Sequence, residues 1–349
     1  ILKDIMKPPN ALESAIISRL KILANMDITE TRKPQDGRIT VEVNERDVDF
    51  RISTIRTISG EKMVMRILDK SGAFVSLEKL GLLDNNYEKL MSLIHSSSGI
   101  VIVCGPTGSG KTSTLYSALS NINTPETNII TIEDPVEFDV EGVNQIQVNH
   151  KIGLDFLSGL TSVLRQDPDV IMIGEVRDYE TANISIQAAL TGHLVFTTLH
   201  TRSAAGTVTR LVDMGVQPFL LNSTVNGIIG QRLLRCICEN CKEKVSVKEY
   251  TDLKSKQFIQ YISDHYDSFH LYRGIGCKFC DNNGYKGRTG VFEILSLTSA
   301  VREAILMKAS SDKIESIAKK EGTVLMKDNA VLCVINGITS IEEVLRVLD

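Results

Sequence analysis

An α/β protein, with a parallel sheet covered on both faces and a smaller α+β unit ahead of it, is what the sequence predicts. From about residue 87 onward, the apolar segments Ile100–Cys104, Asn128–Ile132, Val170–Ile173 and Leu194–Thr198 alternate with the helix-compatible segments Thr112–Leu119 and Ala182–Leu190. Strands that are apolar throughout and separated by helices belong to sheets buried on both sides. Before residue 70 the pattern is different: a helical period is followed by period-two alternation. Past residue 236 a cysteine-bearing insertion precedes a run of helices.

The elements follow in order. Residues 11–24 carry apolar side chains at helical spacing and predict an amphipathic helix. Pro34-Gln35-Asp36-Gly37 reads as a turn. Arg38–Val43 and Val48–Ser53 then alternate polar and apolar as half-buried strands do, and Lys62–Leu68 completes the unit. Ser71-Gly72 and Gly81 punctuate the connection. The expected division is a small α+β domain over 1–75, a linker over 76–86 and an alternating strand–helix core over 87–235. A cysteine-bearing subdomain over 236–290 and a helical subdomain over 291–349 complete it.

Composition narrows the function. Of 349 residues, 42% are hydrophobic and 23% charged, ordinary values for a globular chain long enough for two cores. The net charge of −4 leaves no global basic footprint for nucleic acid. Apolar runs such as Gly99–Cys104 are far too short to span a bilayer, and no signal-peptide pattern opens the chain. The start at Ile1-Leu2-Lys3-Asp4 is read as an entry point into a longer chain.

Gly105-Pro106-Thr107-Gly108-Ser109-Gly110-Lys111-Thr112 fits G-x-x-x-x-G-K-[ST], with an apolar strand entering it and a helical segment leaving it. Such a loop turns its backbone N–H groups onto phosphate oxygens at the positive end of a helix. Lys111 is expected to be solvated without nucleotide and to reach the β- and γ-phosphates, with the Thr112 hydroxyl on Mg²⁺. The guanine-reading Asn-Lys-x-Asp pattern is absent, which favours ATP. Hydrolysis also needs a carboxylate at a neighbouring strand end. Glu175, after Val170–Gly174, is expected to polarise water, and Glu133, in Ile129–Glu137, to serve the metal shell or water network. His193 and His200 bracket an apolar strand and are candidates to sense the γ-phosphate.

Cys238-Glu239-Asn240-Cys241 and Cys277-Lys278-Phe279-Cys280 offer four soft ligands suited to tetrahedral Zn²⁺. A nucleic-acid zinc module would need concentrated basic and aromatic residues, which the segment lacks. Cys104 and Cys333 lie in apolar runs and read as buried small hydrophobes.

Taken together, these motifs resemble the secretion ATPases of type II secretion and type IV pilus assembly over nearly the whole chain. The phosphate loop, the aspartate box Thr131–Glu137, a Walker B segment ending Gly174-Glu175-Val176-Arg177-Asp178 and the histidine box Thr191–Thr201 occur in the family's order. The connecting Leu164–Asp169 and the Gly284–Glu293 segment also match.

The resemblance implies a RecA-like domain joined to a smaller N-terminal domain in a homohexamer. It further implies that Arg38 and Arg51 reach the bound phosphates as charge-stabilising fingers. The four cysteines resemble the extension and secretion branch, since retraction motors generally lack them. Implied partners are an inner-membrane platform protein and a cytoplasmic recruiter. The implied location is the cytoplasm, peripheral to the inner membrane, with no nucleic acid. Glu239 stands where the family tends to have proline, a change that bears on turn rigidity more than on ligation. The alternatives are a nucleic-acid-translocating RecA-like ring, marked by DNA-stimulated, salt-dependent turnover, a retraction motor, and a nucleotide-binding scaffold without turnover.

Overall fold

The computed structural model describes residues 4–43, 46–68 and 75–348; Ile1–Lys3 and Ser71-Gly72 lie outside the described residues. The chain divides into two compact units, Ile1–Ala73 and Phe74–Asp349.

In the first unit, helix α1 (Glu13–Leu23) precedes an antiparallel sheet of β1 (Gln35–Val43), β2 (Arg46–Thr57) and β3 (Gly60–Leu68), in that order. The alternation predicted from sequence is visible in the packing, with Ile39 and Ile52 buried against Ala24 and Met26. This small core also holds a buried lysine. Lys21 is 1% exposed, and its Nζ meets Glu61 Oε1 at 2.5 Å and Glu30 O at 2.9 Å.

The second unit runs through α2 (Asp84–Ile94), β4 (Gly99–Cys104), α3 (Lys111–Ile122), β5 (Ile129–Glu133), β6 (Asn144–Gln147), α4 (Phe156–Val163), β7 (Val170–Ile173), α5 (Tyr179–Leu190) and β8 (Leu194–Leu199). It continues with α6 (Ala204–Asp213), α7 (Pro218–Thr224), β9 (Val225–Ile237), β10 (Lys242–Val245), α8 (Leu253–Ser263), β11 (Leu271–Gly274) and β12 (Tyr285–Ser296). Helices α9 (Ser299–Leu306), α10 (Ser311–Lys320), α11 (Met326–Ile335) and α12 (Ile341–Leu348) close it. The central sheet has the order β12-β9-β4-β8-β7-β5-β6. It is parallel from β9 to β6, and β12 lies antiparallel on β9. Strands β4, β5, β7 and β8 are buried along their whole length, as their apolar runs require. Two clusters of buried side chains, one on each face, form the core. Among the described residues no helix is long and apolar enough to cross a membrane.

Several features differ from the sequence reading. Strands β9 and β12 were not anticipated, and they run straight through the boundaries drawn near residues 236 and 290. A third core joins Phe258, Ile259 and Ile262 of α8 to Ala330, Val331 and Val334 of α11 and Val344 of α12, so the cysteine-bearing segment and the terminal helices are one packed body. The segment expected as a linker over 76–86 is anchored. Leu77 and Leu80 are buried in the core of the second unit, and Gly290 N donates to Leu80 O at 2.9 Å.

Helix α12 is tied to β9 through Glu343, whose side chain is 0% exposed. Its carboxylate accepts from Arg235 N at 3.0 Å, Arg235 Nη2 at 2.7 Å and Arg346 Nη2 at 2.6 Å. Burial pushes this carboxyl up, but hydrogen bonds from Arg346 and Arg235 outweigh it and hold the group at about 2. A depressed folded value means the contribution is complete above the unfolded value of 4.5 and is lost as pH falls toward about 2. Glu343→Gln should lower stability at pH 7 by about 2 kcal/mol, the scale of hydrogen bonds to a charged group. The same variant should flatten the acid limb of a stability-versus-pH curve measured by denaturant unfolding.

Candidate nucleotide site and metal centre

The phosphate loop leaves the end of β4 and closes onto the first turn of α3. Gly105 (φ +157) and Gly110 (φ +88) sit in backbone conformations that side-chain-bearing residues rarely adopt. Thr112, one residue into α3, is exposed and its hydroxyl is open to a metal ion. Lys111 differs from expectation. It is 9% exposed rather than solvated, and its Nζ donates to Gly105 O at 2.9 Å and Pro106 O at 3.2 Å. Desolvation lowers the pKa of this ammonium and the nearby Glu175 opposes the shift. The loop's own carbonyls therefore hold the cation where phosphate oxygens would compete for it.

From Lys111 a chain of polar contacts crosses to the neighbouring strands. His200 Nδ1 lies 3.5 Å from Lys111 Nζ, and His200 Nε2 lies 3.5 Å from Glu175 Oε2. Because the ammonium can only donate, Nδ1 is the acceptor and Nε2 carries the proton toward Glu175. Burial lowers the pKa of His200 and Lys111 adds to this, while Glu175 opposes it. The other oxygen of Glu175 is paired with Arg177. The backbone here is pinned by Thr198 Oγ1 donating to Gly174 O at 2.7 Å. β7 and β8 thus present Glu175 and His200 at the same sheet edge as Lys111.

Two expected residues are engaged by partners within the protein. Glu133 is 3% exposed, and its carboxylate accepts from Tyr116 Oη at 2.5 Å, Thr131 Oγ1 at 2.7 Å and Gln145 Nε2 at 3.1 Å. Both oxygens are used within the protein rather than offered to a metal shell, because a carboxylate buried this deeply must be saturated by donors. His193 is at the far end of β8, on the order of 20 Å from His200 at strand rise. Its Nδ1 lies 2.9 Å from Ala188 O, at the end of α5.

In the first unit Arg38 and Arg51 are direct register partners across β1 and β2. Directly opposed residues share a face, here the one opposite buried Ile39 and Ile52. Arg66 lies opposite Arg51 on β3 and extends the row, although its own segment gave no signal for it.

The cysteine pairs are brought together by the β10–β11 ladder. Its first register pair, Lys242 with Gly274, lies immediately after Cys241 and shortly before Cys277. The four sulfurs lie within 4.8 Å of one another. Three of the separations are 3.8, 3.8 and 3.7 Å. A tetrahedron with Zn–S bonds of about 2.3 Å has edges of about 3.8 Å, so the residues fit zinc. Backbone N–H groups of Cys277 and Gly284 point at Cys280 Sγ at 3.2 and 3.3 Å, the donors a metal-bound thiolate takes up.

Comparison with known proteins decides the family. The family model described as "Type II/IV secretion system protein" matches residues 1–346. The chain belongs to the type II/IV secretion system protein family. It is 45% identical to the type II secretion system ATPase E of Vibrio cholerae, across 99% of this chain and 68% of that protein. It is 47% identical to the type IV pilus assembly ATPase PilB of Pseudomonas aeruginosa, across 99% of this chain and 61% of PilB. The crystal structure of the pilus retraction motor PilT with bound ADP superposes with a TM-score of 0.64 at 28% identity, covering 90% of this chain and 77% of PilT. This secretion-family chain is therefore an ATPase with a RecA-like core, and the family's activity requires ATP and Mg²⁺.

Three outcomes follow for the family member. Elemental analysis of protein purified without chelator should find about one zinc per chain. Cys277→Ser should lose the metal and lower the unfolding temperature of the body after residue 236, because structural zinc contributes folding free energy. Glu133→Gln should lower thermal stability, since an amide adds donors to a pocket already filled with donors. A Glu133→Gln variant as stable as the parent, yet unable to bind Mg²⁺ with ATP, would return Glu133 to the metal shell.

Proposed function

We propose that this chain is the ATP-hydrolysing motor of a type II protein secretion or type IV pilus assembly machine. The observation that carries the proposal is the Lys111–His200–Glu175 constellation at the edge of the parallel sheet. It places a phosphate-binding cation, an imidazole and a carboxylate in one polar chain. Phosphoryl transfer needs little covalent help from protein; it needs positioning and charge stabilisation. Lys111 exchanges the carbonyls of Gly105 and Pro106 for the β- and γ-phosphate oxygens. Bound Mg²⁺ neutralises phosphate charge, and exposed Thr112 is the residue to hold it. Glu175 orients and polarises the attacking water. His200 touches both Lys111 and Glu175, so movement of the lysine onto phosphate changes the contact that holds the carboxylate.

Arg38 and Arg51 supply positive charge to the phosphates as bond breaking proceeds. Arg38 and Arg51 face each other across β1 and β2, and the phosphates are the anion we assign to them. The chain works as a homohexamer at the cytoplasmic face of the inner membrane, acting on a platform protein. Among the relatives, the secretion and assembly ATPases reach 43–47% identity and the retraction motor 28%, and the four cysteines agree with the former branch.

Glu175→Gln should retain ATP binding and slow hydrolysis at least about a hundredfold, the lower range for a general acid–base contribution. Arg38→Ala and Arg51→Ala should each lower turnover about a hundredfold, as loss of a charge-stabilising donor does, with nucleotide affinity near the parent's. Parent-rate hydrolysis by both arginine variants in a hexameric preparation would make them ordinary surface residues.

A further inference from the structure

Strand β9 does not stop where β4 stops. The last paired residue of β4 is Cys104, opposite Gly230, and β9 then continues alongside the phosphate loop. The first residue past that point is Gln231, 1% exposed, within Ile228-Ile229-Gly230-Gln231-Arg232-Leu233-Leu234. A buried amide costs free energy unless it is bonded, and leucine would pack there without that cost. What the glutamine holds explains its place.

Gln231 Oε1 accepts from Thr114 Oγ1 at 2.8 Å, in the first turn of α3. A Cβ on Gly105 would lie 2.6 Å from Gln231 O, and a Cβ on Gly110 would lie 2.8 Å from Gln231 Nε2. One side chain and its own carbonyl thus touch the first and sixth residues of the phosphate loop and the helix that follows. The strand is itself braced at this point. Arg232, 9% exposed, donates from Nη1 to Gln231 O at 3.0 Å and from Nη2 to Arg202 O at 2.7 Å. Opposite Gln231, Phe292 N of β12 donates to Asn329 Oδ1 of α11 at 2.7 Å.

We propose that Gln231 is a positioning residue for the phosphate loop, fixing the separation of Gly105, Gly110 and α3 that lets the loop grip the β- and γ-phosphates. The loop's N–H groups converge on an anion only at one spacing, and glycine-rich backbone does not hold a spacing unaided. The inference rests on the nucleotide reading of the loop.

The test is nucleotide affinity of the full chain, measured with MgADP and with MgATP, alongside thermal unfolding without nucleotide. Gln231→Leu and Thr114→Val should each weaken both nucleotides about tenfold, the scale of one buried hydrogen bond. The double variant should be no weaker than the singles, since they break the same contact. Thr114→Ser keeps the hydroxyl and should bind as the parent does. Folded Gln231→Leu or Thr114→Val protein with parent affinity, or losses that multiply in the double variant, would overturn the proposal. If Gln231→Leu fails to fold, Thr114→Val against Thr114→Ser decides alone, and equal affinities overturn it. A parent protein that binds neither nucleotide would sink the nucleotide reading itself, a separate outcome.

Discussion

The ammonium of Lys111 lies on the carbonyls of Gly105 and Pro106, and much of the second unit is arranged around that contact. A buried lysine needs acceptors. The loop supplies them from its own backbone, through the carbonyls of Gly105 and Pro106. The parallel strands end at this edge because their apolar lengths end here. Glu175 and His200 therefore arrive beside Lys111 from β7 and β8 without any special local device.

The second constraint is lateral. β9 and β12 extend the sheet past the phosphate loop toward the cysteine cluster, so the strand that braces Gly105 and Gly110 leads directly to Cys238. Its far end is held by the four sulfurs, by Glu343 with its two arginines, and by Arg235 stacked 4.0 Å from the Tyr285 ring. The four-cysteine cluster is thus joined to the candidate nucleotide site along one strand.

How far the sequence could be read depended on the kind of signal. The parallel strands were legible because burial on both faces demands unbroken apolar runs, and the phosphate loop because its glycines and lysine are stereochemically irreplaceable. The two Cys-x-x-Cys pairs were legible from their spacing, whereas the pairing of Arg38 with Arg51 shows only in the register of β1 and β2. The rest depended on partners distant in the chain. Nothing local marks Gln231 as the neighbour of Thr114, or Tyr116 as the donor that turns Glu133 inward. His193 and His200 look alike in sequence, and only the length of β8 separates their roles. β9 was hidden by its glycines and its Gln-Arg pair, the residues that make it serve the loop.

The central claim is that nucleotide re-partners a chain of groups already held together: Lys111 leaves loop carbonyls for phosphate, and Glu175 turns to water. A structure of the hexamer with Mg²⁺, ADP and a planar phosphate mimic tests this most directly. We expect Lys111 Nζ within hydrogen-bond reach of the mimic, no longer on Gly105 O and Pro106 O, and Glu175 bonded to a water in line with the mimic. Lys111 still on the loop carbonyls, or Glu133 rather than Glu175 holding that water, would contradict the account.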